Sequence, residues 1–102
     1  MISNVMDVQI DEKIKQKIAE PDLYKVIMLN DDLTPMDFVI DVLVSIFKHS
    51  TETARDLTTS IHNEGSAIVG VYTFEIAEQK GLETTNLARS NGFPLKVELE
   101  KE

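Results

Sequence analysis

Hydrophobic and polar positions divide the chain from residue 23 onward into apolar segments separated by polar turns. Residues 23–29, LYKVIML, are rich in apolar and β-branched side chains and stop at the turn-forming sequence NDD, which predicts a strand. Thr34 and Pro35 then favour the N-cap and the first position of a helix. The segment that follows has the apolar spacing of one helix face, at Phe38, Val39, Val42, Leu43, Ile46 and Phe47.

A second helix is predicted to begin after Ser50 and to end at Gly65, because glycine is the common residue at a helix C-terminus. The apolar positions that would face the core are Ala54, Leu57 and Ile61. The run AIVGVYT, residues 67–73, is apolar apart from Gly70 and predicts a second strand.

The third predicted helix has Thr73 as its N-cap and extends to about Ser90, with an expected interruption at Gly81. Residues 95–100, LKVELE, alternate strictly, so the last strand should bury one face and expose the other. The order β-α-α-β-α-β predicts an α/β (α+β) fold. In this two-layer sandwich, a three-stranded antiparallel sheet carries three helices on one face.

Two regions are expected in a chain of 102 residues. Residues 1–21 predict a flexible N-terminal arm, since the only helical spacing there, at Ile10, Ile14 and Ile18, is too short to form a stable helix alone. Residues 22–102 hold all the predicted elements and form the globular domain, for which the length is sufficient.

Charge and composition limit the classes of partner. The chain has 18 acidic and 10 basic residues, a formal charge of −8, so its surface should repel nucleic acid and attract cationic groups. It has no cysteine, which excludes disulfides and thiol catalysis. No apolar stretch approaches the roughly 20 residues that span a membrane, and the N-terminus lacks the pattern of a signal peptide. We therefore expect a cytoplasmic protein without a membrane partner.

The sequence LNDDLTP, residues 29–35, concentrates hydrogen-bond acceptors at one turn, with no basic residue before Lys48. Asn30, Asp32 and Thr34 partly follow the ligand spacing of a calcium loop. That loop requires glycine where this chain has Pro35, so no metal site is expected. Asp and Asn at such a turn commonly bond their own backbone, and a carboxylate cluster can also receive a cation. Both interpretations stay open on these residues alone.

Catalysis is the third possibility for this turn. His62 could pair with Asp31 or Asp32 as a base and its orienting group. No serine lies in a nucleophile-elbow context, and the chain has no glycine-rich phosphate loop. An enzyme is therefore not expected, and a histidine close to a helix C-terminus commonly interacts with the helix end.

Longer motifs point to a family. The stretch YKVIMLNDDLTPMDFVIDVL, followed by IHNEGSAIVGVYTFEIAEQK and FPL, resembles the ClpS family from about Tyr24 to Leu99, and its most specific part is the signature NDD-x-TPM-x-FV. The resemblance implies a small α/β sandwich without cofactor or enzymatic activity. It also implies an adaptor that binds proteins with a bulky N-terminal residue (Leu, Phe, Tyr or Trp) and delivers them to the ClpA unfoldase for degradation by ClpP.

The same resemblance implies roles for particular side chains. Asn30, Asp31 and His62 would hold the free α-amino group of such an N-degron, while Asp32 and Thr34 would line the mouth and meet the first peptide bonds. The hydrophobic pocket would be formed by Met36, Val39, Thr58, Ile61 and Leu95. Family members usually have Met where this chain has Thr58, so tolerance of Ile or Val as first residue is a further hypothesis.

A second surface is implied for the unfoldase. Glu75 and Lys80 match the residues that dock on the N-terminal domain of ClpA, and the N-terminal arm would be engaged during delivery. The simplest such adaptor is a monomer. The alternative is a protein-interaction module of similar fold, like that of the ribosomal stalk, which would bind another partner and need no site for an α-amino group.

Overall fold

Six elements follow one another in the order that the sequence predicts. The computed structural model describes residues 21–102, so the predicted arm lies outside the described residues except for its last residue. The elements are β1 (Leu23–Leu29), α1 (Met36–Ser45), α2 (Thr51–Glu64), β2 (Ser66–Thr73), α3 (Phe74–Ser90) and β3 (Lys96–Lys101).

Strand β1 is the centre of an antiparallel sheet with the order β2-β1-β3. Val26 and Met28 project from β1 to the same face and are fully buried, so this is the face that the helices cover. The pairing of β1 with β2 shifts after Val26, and Val69 is the additional residue of the resulting β-bulge. The Nε2–H of His49 donates to the carbonyl oxygen of Val69 at 2.6 Å, so this carbonyl has a hydrogen-bond partner at the bulge. The predicted three-stranded antiparallel sheet is therefore confirmed.

The opposite face of the sheet is open to solvent. Lys25 on β1 pairs with Glu100 on β3 there, with 3.5 Å between nitrogen and oxygen. Ile68 and Val71 of β2 are 48% and 39% exposed. The uninterrupted apolarity of this strand therefore does not reflect burial on both faces.

Helix α1 buries the predicted apolar stripe but begins one residue later than expected. The predicted N-cap, Thr34, is wrong: Pro35 is the N-cap residue, its backbone is extended, and no side chain caps the helix. The Thr34 hydroxyl instead donates to a carboxylate oxygen of Asp31 at 2.7 Å. This local bond competes with capping, as is common for Ser, Thr, Asp and Asn side chains near helix ends.

The ends of α2 are as predicted. Ser50 is the N-cap, and its hydroxyl oxygen accepts a hydrogen bond from the backbone N–H of Thr53 at 3.1 Å. Gly65 ends the helix in the left-handed region, with φ of 93°, and its N–H donates to the carbonyl of Ile61. A glycine takes this conformation without the steric cost that a Cβ atom brings.

Helix α3 is continuous, so the expected interruption at Gly81 is wrong. Gly81 is buried, and a Cβ atom there would lie 3.4 Å from the nearest methyl group of Val97 on β3. This distance is an ordinary van der Waals contact, so the packing of α3 against the sheet does not depend on the glycine, and it outweighs the low helix propensity of that residue. Thr73 occupies the predicted N-cap position, although its side chain makes no capping hydrogen bond.

Candidate functional site

A backbone hydrogen bond joins the turn after β1 to the end of α2. The N–H of Asn30 donates to the carbonyl oxygen of Gly65 at 2.8 Å. Because His62 lies one helical turn before Gly65, this bond brings His62 beside Asn30, although 32 positions separate the two numbers in the sequence (62 − 30). Within residues 21–102, the side chains of Asn30 and His62 make no hydrogen bond to other protein groups, so both are available to a ligand.

Asp31 organises this turn through its carboxylate. One oxygen, Oδ1, accepts from the backbone N–H groups of Leu33 at 2.9 Å and Thr34 at 2.7 Å. The other, Oδ2, accepts from the Thr34 hydroxyl at 2.7 Å. Since each carboxylate oxygen has two acceptor positions, Oδ2 keeps one for a further donor.

The same contacts determine the charge of Asp31. Burial acts to raise the pKa of its carboxyl group, but the hydrogen bonds from Thr34 and Leu33 and the positive charge of Arg89 outweigh it. The pKa of Asp31 therefore lies below its usual value of 3.8, and the group is an anion at neutral pH. The turn thus presents a fixed negative charge beside two uncommitted polar side chains.

A cavity of about 300 Å³ opens next to this turn, which is the lower end of the range for ligand pockets. It brings together every predicted α-amino and mouth residue and every predicted pocket residue except Leu95, and adds Pro35, which the sequence had not indicated. The lining residues are Asn30, Asp31, Asp32, Thr34, Pro35, Met36, Val39, Thr58, Ile61 and His62.

The cavity has a polar side and an apolar side. Its apolar wall is made by Met36, which is 45% exposed at the rim, and by Val39 and Ile61, which are buried in the core. Thr58 lies with them, 3% exposed, and its hydroxyl donates to the carbonyl oxygen of Ala54 at 2.7 Å. That bond uses the one donor of the hydroxyl within its own helix.

Leu95 lies in the hydrophobic core, 1% exposed, and does not line the cavity. Its carbonyl oxygen accepts a hydrogen bond from Nη1 of Arg89 at 2.9 Å, and the same nitrogen donates to the carbonyl of Phe93 at 2.8 Å. Arg89 was not predicted as a site residue; its two hydrogen bonds order the segment before β3, and its positive charge lies near Asp31. Its position in the last turn of α3, where basic residues often bind free carbonyls, was the available signal.

The two predicted docking residues lie on α3 in different environments. Glu75 is in the first turn and exposed. The ammonium group of Lys80 instead donates to the carbonyl oxygen of Ile46, just after α1, at 2.7 Å. It also lies 5.9 Å and 5.3 Å from the ring centroids of Phe47 and Tyr72. Lys80 therefore joins α3 to the end of α1 within the fold.

The described residues provide no metal site and no membrane segment. Between residues 21 and 102, no three or more His, Asp or Glu side chains are grouped to hold a metal ion. No helix in the same range is long and apolar enough to cross a membrane. What the arrangement offers chemically is a set of hydrogen-bond acceptors, one of them anionic, at the edge of an apolar cavity.

The chain is similar to known proteins over most of its length. The sequence model of the family described as ATP-dependent Clp protease adaptor protein ClpS matches residues 19–98. The ATP-dependent Clp protease adapter protein ClpS of Treponema denticola is 48% identical over 88 residues, which cover 86% of this chain and 87% of that protein. The protein of the same name from Sodalis glossinidius is 45% identical over 91 residues, which cover 89% of this chain and 86% of that protein.

A solved structure extends the likeness to three dimensions. The structure of Agrobacterium tumefaciens ClpS2 bound to L-phenylalaninamide matches with a TM-score of 0.79 and 46% sequence identity, covering 81% of this chain and all of that one. The family and the relatives from Treponema denticola and Sodalis glossinidius are named as protease adaptors and not as enzymes. The chain belongs to the ClpS family of ATP-dependent Clp protease adaptor proteins.

Proposed function

We propose that this ClpS-family chain is an N-degron adaptor. It binds proteins whose first residue is Leu, Phe, Tyr or Trp and whose α-amino group is free, and it delivers them to the ClpA unfoldase for degradation by ClpP. One observation carries the proposal: a single cavity joins the acceptors of Asn30, Asp31 and His62 to an apolar wall. A free N-terminal residue has the complementary chemistry, an ammonium group and an apolar side chain on one carbon atom.

The polar side of the cavity fits the α-amino group. This group has a pKa of about 7.7–8.0, so it is mostly a cation at neutral pH, and it has three N–H donors. The anionic carboxylate of Asp31, the amide oxygen of Asn30 and an imidazole nitrogen of His62 supply three acceptors. Hydrogen bonds that involve a charged group contribute about 1.5–3 kcal/mol each. An acetylated or internal residue has no charge to offer and would leave Asp31 desolvated without a partner.

The apolar side fits the first side chain. Transfer of a Leu or Phe side chain from water to an apolar pocket contributes about 1.5–3 kcal/mol. Val39 and Ile61 make a rigid part of this wall because they are also core residues, whereas Met36 at the rim can adjust to side chains of different shape. Asp32 and Thr34 also line the cavity, and we propose that they meet the first peptide bonds of the substrate.

The ligand of the Agrobacterium tumefaciens relative supports this assignment. L-phenylalaninamide has a free α-amino group, a benzyl side chain and an amide in place of the first peptide bond. It is therefore the smallest mimic of a protein that begins with Phe. The likeness of the two chains extends over the whole of that relative, so the same class of ligand is proposed for this chain.

Fluorescence anisotropy with a labelled peptide tests the binding step. A peptide that begins with Phe should bind, whereas its N-acetylated twin and the same peptide with Gly first should bind at least about 30-fold more weakly, which is roughly 2 kcal/mol. Equal affinity for the free and acetylated peptides would contradict the proposal, and so would equal affinity for Phe and Gly as first residue.

Delivery requires a second surface, for which Glu75 is the exposed candidate. Lys80 would contribute with its ammonium already held against α1, so its substitution would also perturb the fold. The adaptor is proposed to act as a cytoplasmic monomer. In a reconstituted reaction with ClpA and ClpP, Glu75→Ala should lose degradation of a Phe-first protein while keeping peptide affinity. Glu83→Ala, an equal charge change elsewhere on the exposed part of α3, should keep both, and equal loss in the two variants would contradict this docking surface.

A further inference from the structure

A second groove, of about 250 Å³, adjoins the N-terminus cavity and shares Asn30 and Asp31 with it. Its other lining residues are Leu29, Pro94 and Lys96. Lys96 begins β3 and lies opposite Leu29 in the sheet register, so its position beside the turn is set by backbone pairing. Neither the predicted pocket nor the predicted docking surface includes this groove.

Lys96 is the only lysine or arginine among the described residues that line the two adjoining cavities. The side chain is exposed and makes no salt bridge within the part of the chain that the structure describes. Two other lysines of the sheet differ in this respect, because Lys25 pairs with Glu100 and Lys101 pairs with Asp22. In a protein with a formal charge of −8, Lys96 thus places an uncommitted cation next to the residues proposed to hold the substrate N-terminus.

The covalent geometry of a bound substrate brings its second residue close to this groove. With the α-amino group at Asn30 and Asp31 and the first side chain in the apolar cavity, the second Cα atom is about 3.8 Å from the first. In an extended chain the second side chain points away from the first, and therefore out of the apolar cavity. The groove meets the cavity at the same two residues and is therefore a concave surface beside the path of the second residue.

Charge determines which second residue fits best. The α-ammonium group of the substrate would offset the negative charge of Asp31, so the remaining charge that lines the groove is that of Lys96. We propose, on the basis of the proposed N-degron function, that this groove is a second subsite in which Lys96 favours an acidic side chain at position two of the substrate. Glu98, the next residue on the same face of β3, does not line the groove.

Anisotropy competition with peptides that begin Phe-Glu, Phe-Gln and Phe-Lys tests this subsite. The wild-type protein should bind Phe-Glu about three- to fivefold more tightly than Phe-Gln, as for a solvent-exposed ion pair, with Phe-Lys weakest, and added salt should reduce the difference. Lys96→Glu should reverse the order of Phe-Glu and Phe-Lys, and its circular dichroism spectrum, which should match that of the wild-type protein, shows that the variant is folded.

A matched control separates the effect of the charge at Lys96 from the effect of the net charge of the protein. Lys101→Glu makes the same change of net charge on the same strand but away from the groove, and it should keep the wild-type order. Equal affinities of the wild-type protein for the three peptides would overturn the subsite and leave the proposed function standing. An order that changes equally in the two variants would also overturn it. Binding of none of the peptides would overturn the proposed function and the subsite together.

Discussion

The shape of the pocket beside Thr58 sets a prediction about the first residue of the substrate. We expect the wild-type protein to bind peptides that begin with Ile or Val within about tenfold of those that begin with Leu. Thr58 is almost completely buried and lines the cavity, and it is shorter than the Met that the family resemblance implies at this position. Thr58→Met should therefore remove the space into which a β-branched side chain fits.

The size of this effect follows from packing. Forcing extra atoms into a filled pocket costs about 1–3 kcal/mol, and one methylene changes binding by roughly 10- to 200-fold. Thr58→Met should weaken Ile- and Val-first peptides by about tenfold or more relative to Leu-first peptides, because leucine branches one atom farther from the backbone. Loss of the hydroxyl bond to Ala54 costs about 0.5–1.5 kcal/mol of stability, which leaves the domain folded.

Competition anisotropy with three peptides that differ only in a first residue of Leu, Ile or Val is the assay. Thr58→Val is the matched control, because it removes the hydroxyl while keeping the branched shape. If the width of the pocket determines which first residues bind, Thr58→Val keeps the wild-type ranking of the three peptides and only Thr58→Met changes it. The reasoning would be refuted if the wild-type protein discriminated against Ile- and Val-first peptides as strongly as Thr58→Met does.

Three other substitutions have defined outcomes. In urea denaturation, Gly81→Ala should raise the free energy of unfolding by about 0.5–1 kcal/mol, since its methyl meets only ordinary contacts. Gly70→Ala should lower it by about 1–3 kcal/mol because the methyl would overlap the tyrosine ring two residues later, so equal effects of the two substitutions would contradict this packing. Lys80→Met should lower the free energy of unfolding by about 1.5–3 kcal/mol, because the carbonyl oxygen of Ile46 after α1 would lose its charged donor. An unchanged urea midpoint would show that this hydrogen bond does not contribute to stability.

Those elements whose ends have a local chemical cause could be placed from the sequence. Strand β1 ends at the NDD turn, and α2 lies between the Ser50 cap and the left-handed Gly65. The start of α1 was misplaced because two local preferences compete at Thr34, and Asp31 binds its hydroxyl. Gly81 was misread because its helix propensity is overridden by packing against β3, a contact that no local pattern contains.

In the candidate site, too, some features could be predicted from the sequence and others depend on tertiary packing. The residue types of the site came from the family resemblance, but their convergence depends on one backbone bond, from Asn30 to Gly65. Arg89 was missed because its two carbonyl partners and its proximity to Asp31 follow from the path of the chain after α3. Leu95 was assigned to the pocket wall, and in the structure its side chain lies in the core. Tertiary placement of this kind could not be obtained from periodicity.

The most direct test of the central claim is the affinity lost on N-acetylation of a Phe-first peptide, measured for the wild-type protein and for Asp31→Asn. Because the loss is a ratio within each protein, any general weakening by the substitution cancels. If the carboxylate of Asp31 holds the α-ammonium group, acetylation should cost the wild-type protein at least about 30-fold and Asp31→Asn less than about fivefold. The same loss in both proteins would contradict the account, because the free N-terminus would then be recognised without Asp31.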